Sequence, residues 1–230
     1  MTLVLYQHPL ASFCHKVLIA LYESGIPFDN RIVDLGNEAS RAELSGFWPL
    51  CKIPVMRDEA RKMTVPETSI MIEYAEQHYP GVARMLPSDA DACLQVRLWD
   101  RVFDHYVQEP MQKIVADRMR PEGSKDPAGV AGAEKTLRTA YDMIESQLAD
   151  RQWIVGNAFS MADCAAAPAL FYAGTLVDFG GERPKLRAYY QRLLARPSFA
   201  RVLREAMPYF KYYPFHERIA PEFRPDASSS

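Results

Sequence analysis

The chain has 230 residues and a mass of 26.1 kDa, room for one large domain or two modest ones around a real hydrophobic core. At 48% hydrophobic and 24% charged, with 11 Gly and 17 Pro, its composition is that of an ordinary folded protein and excludes global disorder. Twenty-seven Lys and Arg against 29 Asp and Glu leave a net charge of −2, so no basic field draws in nucleic acid or anionic lipid, and a small-molecule or protein partner is expected.

Cys14, Cys51, Cys93 and Cys164 stand far apart, with no C-x-x-C pair and no Cys/His cluster at metal-ligand spacing, so neither a disulfide scaffold nor a metal is expected. No Lys or Arg precedes residue 16, and the mixed stretch Lys16 to Leu21 falls far short of the roughly 20 apolar residues of a membrane span. The expectation is a cytoplasmic, reducing location without a membrane partner.

Leu3 to Tyr6 is a short run of β-formers ended by Gln7-His8-Pro9, and Phe13, Val17, Ala20 and Leu21 recur at helical spacing over Phe13 to Tyr22. Gly25 closes this helix, Pro27 forbids its continuation, and Phe28 to Val33 reads as a second strand, completing a βαβ unit. Glu38 to Leu44 forms one or two helical turns. Ile53 to Met56 and Met63 to Val65 make a hairpin about the charged turn Arg57 to Lys62, and Thr68 to His78 is a helix ended by Pro80-Gly81. The order βαβ then ββα is thioredoxin-like.

From Asp89 onward strand signals cease. Cys93 to Met119, Val130 to Leu148, Met161 to Leu176, Lys185 to Ala195 and Phe199 to Met207 are helical patterns separated by Pro- or Gly-bearing breaks. The predicted fold class is therefore α/β plus all-α: a thioredoxin-like domain over residues 1–80, a linker over 81–88, an all-helical domain over 89–215 and a tail over 216–230, read as frayed from Ala220.

Three motifs carry information. In Trp48-Pro49-Leu50-Cys51-Lys52-Ile53-Pro54-Val55, a Pro that starts the third strand of such a half is where a cis peptide exposes the N–H and C=O of the preceding residue, Ile53, to an extended peptide ligand. In Val65-Pro66-Glu67-Thr68-Ser69-Ile70, Thr68 is placed to cap a helix whose free N–H groups bind a carboxylate, while Glu67 takes an ammonium, which suits the zwitterionic end of an amino acid. In Phe159-Ser160-Met161-Ala162-Asp163-Cys164, Ser160 and Asp163 are spaced as a capping box, with Phe159 stapled onto Cys164, a folding element rather than a chemical one.

With these pieces in this order the chain resembles the cytosolic glutathione transferases from Leu3 to about Tyr209. The resemblance rests on LYQHPLASFCHKVLIAL, P-L-C-K-I-P-V, E-T-S-I-M-I-E-Y-A and F-S-M-A-D-C-A-A-A-P-A-L. It implies glutathione as co-substrate on the first half, a small hydrophobic electrophile against the helical half, and a homodimer. By the same resemblance Ile53, with Pro54 cis, meets the cysteinyl unit, Glu67 and Thr68 hold the γ-glutamyl end, and Lys52 reaches the glycine carboxylate.

The sequence departs from the family's pattern at the thiolate donor. Where the serine-type and cysteine-type classes carry that group this chain has Ala11, so Ser12, one place later, takes the role, either pointing at the sulfur or capping the helix. Tyr6 and His8 are the alternatives; Cys14 reads as a buried apolar residue, and Cys51, beside Lys52, as a site of mixed-disulfide formation. On the helical side, Trp99, Phe103 and Tyr106 share a helical face, and Asp100, Tyr106 and Met111 are placed near the cleft. The expected activity is conjugation of the glutathione thiolate; a glutathione-dependent disulfide reductase or isomerase, or a binding protein without turnover, are the competing readings.

Overall fold

A computed structural model describes residues 3–224. The first half holds β1 (Leu3–Gln7), α1 (Ser12–Ser24), β2 (Asp29–Ile32), α2 (Glu38–Ser45), β3 (Val55–Asp58), β4 (Met63–Val65) and α3 (Thr68–His78). The sheet order is β2-β1-β3-β4, with β1 parallel to β2 and antiparallel to β3, which is the thioredoxin-like arrangement read from the sequence.

Alternation along β1 sorts its side chains between two cores: Leu3 and Leu5 join the large core that includes α1 and α3, while Tyr6 joins Val33, Leu44 and Val55 in a smaller one. Helix α1 stops at Gly25, whose φ of +65° is open to glycine without steric cost, and the Ile26 N–H turns back to the Leu21 carbonyl at 3.1 Å. Strand β3 begins two residues later than its apolar run suggests and takes in Arg57 and Asp58, because Asp58, fully buried, accepts hydrogen bonds from Tyr74 at 2.8 Å and Tyr79 at 2.6 Å. Ile53 and Pro54 are thereby left outside the ladder, joined by a cis peptide bond.

The second half is helical: α4 (Ala90–Val102), a π-helical segment (Phe103–Gln108), α5 (Glu109–Met119), α6 (Pro127–Leu148), α7 (Met161–Leu176), α8 (Pro184–Leu194) and α9 (Pro197–Ala206). Helix α7, alanine-rich and buried along most of its length, is the axis on which α1 and α4 pack. Its start is held by Asp163, which accepts from the Ser160 N–H and hydroxyl at 2.9 Å each, from Ile154 at 3.1 Å and from Tyr189 at 2.6 Å. The folding role expected for this motif is what the geometry shows; Phe159, expected to staple onto Cys164, lies edge-on to Trp153.

Two readings are corrected. The single helix Cys93 to Met119 is interrupted by the π segment, because Pro110 has no N–H to give the residue 106 carbonyl and its ring crowds that carbonyl; the Glu109 N–H reaches instead to Asp104, five residues back. The chain expected to fray from Ala220 continues in a 3₁₀ turn over Pro221–Phe223, with Phe223 against Phe171; residues 225–230 lie outside the described residues.

Candidate functional site

A cavity of about 270 Å³ opens between the two halves. Its sheet side is formed by Phe13, Trp48, Lys52, Ile53, Pro54, Glu67 and Thr68, and its helical side by Arg101, Asp104, His105, Glu109 and Gln112. Five of the residues predicted from the sequence, Lys52, Ile53, Pro54, Glu67 and Thr68, thus meet around one space. A larger cleft of about 380 Å³ near Tyr22, Phe28 and Arg201 contains none of them.

The backbone supplies much of what the cavity offers. No hydrogen bond within the described residues engages the Ile53 N–H or C=O, so both are open to a strand-like ligand. Helix α3 starts differently from expectation: the N-cap is Glu67, at φ +66° and ψ 118°, and Thr68 is already helical, so no side chain caps the first turn. A non-glycine residue in that region is held at a cost of about 1–3 kcal/mol, a strain that gathers at functional sites. Helix α1 is likewise uncapped, because its N-cap is Ala11. By contrast α2, α4 and α6 are capped by Asn37, Asp89 and Asp126. The free amides of α1 and α3 therefore give the cavity, through Phe13 and Thr68, two partly positive helix ends.

Ser12, the predicted thiolate donor, is the first helical residue of α1 rather than its cap. It is 5% exposed, its Oγ accepts a hydrogen bond from Gln108 Nε2, and the neighbouring Phe13 lines the cavity in its place. Tyr6 packs against Phe47 in the smaller core and donates to Glu43 at 3.4 Å, and burial pushes its pKa up. His8 accepts from the Leu10 N–H at 3.2 Å and lies edge-on to Tyr209. Cys14 is wholly buried and its thiol is pushed up to about 12 by burial, as suits the apolar reading.

On the helical side the expected groups do not reach the cavity. Asp100 is buried in an ion cluster, Met111 is in the core, and Tyr106 is half exposed on another face. The π segment is the cause. Trp99, Phe103, Val107 and Met111 are buried at steps of four, and Asp100, Asp104 and Gln108 form a parallel buried row, a phase that a regular helix of 3.6 residues per turn loses. Arg101, His105, Glu109 and Gln112 are turned to the cavity, and Pro110 is the sequence signal that points to it.

Behind the helical wall lies a cluster of four charges. Lys16, 1% exposed, sits 2.6 Å from Asp100 and 2.8 Å from Asp104 and donates to the Ser69 hydroxyl at 3.1 Å. Ser69 donates to Asp100 at 2.6 Å, and Arg101 donates to Asp104 at 2.6 Å and to Asp100 at 2.8 Å. Burial pushes the Asp104 carboxyl up and the Lys16 charge opposes it. Two cations and two carboxylates leave the cluster neutral, and it links α1 and α3 to α4 across the boundary between the halves. Among the described residues no group of His, Cys, Asp and Glu is arranged to hold a metal ion, and no helix is long and apolar enough to cross a membrane.

Comparison with known proteins adds three findings. Two family models match the chain: glutathione S-transferase, N-terminal domain, over residues 11–78, and glutathione S-transferase, C-terminal domain, over residues 127–192. FtsZ-localized protein A of Caulobacter vibrioides is 28% identical over 220 residues, covering 89% of this chain and 92% of that protein, and glutathione S-transferase U25 of Arabidopsis thaliana is 28% identical over 208 residues, covering 88% and 89%. A crystal structure of a glutathione S-transferase from Methylobacillus flagellatus with glutathione bound superposes with a TM-score of 0.81 at 25% identity, covering 87% of this chain and 98% of that one.

Proposed function

Since the chain belongs to the glutathione S-transferase family, we propose that it binds glutathione in the cavity between its halves and transfers the thiolate to a small electrophile. The observation that carries the reading is the meeting, in one cavity, of the unpaired Ile53 backbone with the uncapped start of α3 at Glu67 and Thr68. Ile53 pairs with the cysteinyl unit as a strand would, Glu67 accepts from the α-ammonium, Thr68 and the α3 amides receive the α-carboxylate, and Lys52 faces the glycine carboxylate.

This leaves the thiol toward the start of α1. A free thiol has a pKa of about 8.5, and each unit of depression needs about 1.4 kcal/mol of preference for the thiolate. In this reading the free Ser12 and Phe13 amides and the helix dipole supply most of that preference, because the Ser12 side chain is buried and Phe13, not Ser12, lines the cavity. The electrophile meets the aromatic faces of Phe13 and Trp48 on one side and a charged wall of Arg101, Asp104, His105 and Glu109 on the other. Its body is therefore small and hydrophobic, with polar substituents turned to the helical half.

A second reading, a binding protein without turnover, is favoured by Ala11 and the buried Ser12, which leave the start of α1 without a hydroxyl or thiol facing the cavity. A relative named FtsZ-localized protein A is compatible with it. Both readings require glutathione binding. Calorimetry with glutathione is expected to show a single site that Glu67→Ala weakens about tenfold, or about 1.4 kcal/mol; no heat of binding at millimolar glutathione overturns both, and unchanged affinity in Glu67→Ala removes that residue from the site. Turnover of an aryl halide by wild type separates the two.

A further inference from the structure

We propose a second binding site, between α1, β2 and α9, for a compact aliphatic primary amine in its ammonium form. A cavity of about 190 Å³ lies there, with Gln7, His15 and Glu205 among its polar lining and Leu18, Ile32 and Val202 among its apolar lining. It shares no lining residue with the glutathione cavity, so the proposal stands apart from that reading, and it meets the larger cleft near Tyr22 and Arg201 at Glu205. Its volume is below the range of about 300–1,000 Å³ that takes drug-sized ligands, which limits the ligand to a small one.

The lining offers acceptors that lack donors. Gln7 is 1% exposed, and its Oε1 has no hydrogen-bond partner among the described residues. His15 is fully buried with Nε2 2.6 Å from the Pro9 carbonyl; a carbonyl only accepts, so Nε2 carries the proton. Burial keeps the ring neutral, with its pKa pushed down to about 4, so Nδ1 presents a lone pair, and it too has no partner. Tyr172, its ring 5.8 Å away, supplies no donor, since its own hydroxyl is unpartnered. Buried acceptors left unpaired are exceptional in folded proteins, and two in the lining of one cavity call for a ligand that brings N–H groups. Glu205 adds the charge: its field acts on His15, and it alone among the lining residues is formally charged. Its carboxylate is held by Tyr22 at 2.7 Å and Arg201 at 2.9 Å, which leaves lone pairs on both oxygens for a further donor. The Arg201 guanidinium itself lies over the Tyr22 ring, 3.8 Å from its centroid, and does not line the cavity. An ammonium has three donors for these three acceptors, and the apolar lining takes its aliphatic body.

The test titrates isopentylammonium chloride and isopentanol, alike in shape but unlike in charge and donor count, into wild type, Gln7→Met and Glu205→Gln at pH 7 by calorimetry, with circular dichroism to verify folding. Wild type is expected to bind the ammonium at one site and to prefer it to the alcohol by about tenfold or more. Gln7→Met, which removes the acceptor at similar volume, should weaken the ammonium by about threefold or more, and Glu205→Gln should bring the preference to within about threefold. No saturable binding of the ammonium by wild type, equal affinity for the alcohol, unchanged affinity in Gln7→Met or a preference retained in Glu205→Gln overturns the proposal. Competition by glutathione would place the ammonium in the other cavity and overturns it as well. Should Gln7→Met fail to fold, the nitrogen resonance of His15 Nδ1 in wild type decides: it should move on saturation with the ammonium as its lone pair accepts a hydrogen bond, and an unmoved resonance overturns the proposal.

Discussion

His15 stands on the first turn of α1 with no solvent exposure, its Nε2 2.6 Å from the Pro9 carbonyl. Burial pushes its pKa down to about 4 against the pull of that carbonyl, while in the unfolded chain it returns to about 6.5. The folded state therefore refuses a proton that the unfolded state accepts. The stability this contributes is complete above pH 6.5 and is lost as pH falls toward 4. From pH 7 to pH 5 the loss is about 2 kcal/mol by linkage. Urea unfolding of wild type and His15→Gln at both pH values isolates it, since the acids common to both proteins cancel in the difference. The gap between the two proteins should narrow by about that amount at pH 5, and a gap independent of pH would show that His15 is protonated while buried.

At the scale of elements, what could be read in advance was what depends on local pattern. Strand β1, helix α3, the Gly25 stop and the Ser160–Asp163 start of α7 all follow from periodicity and capping chemistry, and the grouping of Ile53 with Glu67 follows from the family resemblance. The helical wall of the cavity did not, because it depends on phase. Without the π turn ahead of Pro110, Tyr106 is assigned to the aromatic stripe and Arg101 and His105 are passed over. Lys16 was illegible for another reason: its buried partners lie 84 and 88 residues away, beyond any local signal. The same scale decides who holds the sulfur. If the α1 amides do, titration of the thiolate absorbance of bound glutathione should move by less than about half a unit in Ser12→Ala, because no charge-assisted hydrogen bond is lost. A rise of about a unit or more would assign the thiolate to the Ser12 hydroxyl, as the sequence suggested.

At the scale of the molecule, the two halves are joined by more than apolar packing. Lys16, Asp100, Asp104 and Ser69 bridge them, and Met85 in the connecting segment donates to Glu76 at 2.6 Å and accepts from the Met161 N–H at 2.9 Å. The halves so fixed leave, among the described residues, an exposed apolar surface on α3 and α4. Ile70 and Glu73 lie one helical turn apart on α3, Leu94, Arg97 and Leu98 share a face of α4, and the fork between Arg97 and Glu73, at 2.9 and 2.6 Å, sets the two faces side by side. Ile70, Leu94 and Leu98 are 55%, 62% and 50% exposed, an apolar group of a kind that marks a protein interface. A stable interface buries about 1,200–2,000 Å² in total, and a second copy related by a two-fold axis would meet this surface with the same residues. We therefore propose a homodimer through α3 and α4. Light scattering at micromolar concentration should give twice 26.1 kDa for wild type and close to 26.1 kDa for the Leu94→Glu, Leu98→Glu variant. Both substitutions replace exposed side chains, so circular dichroism should be unchanged. A wild-type mass of one chain, or a dimer that persists in the doubly charged variant, would place the interface elsewhere or remove it.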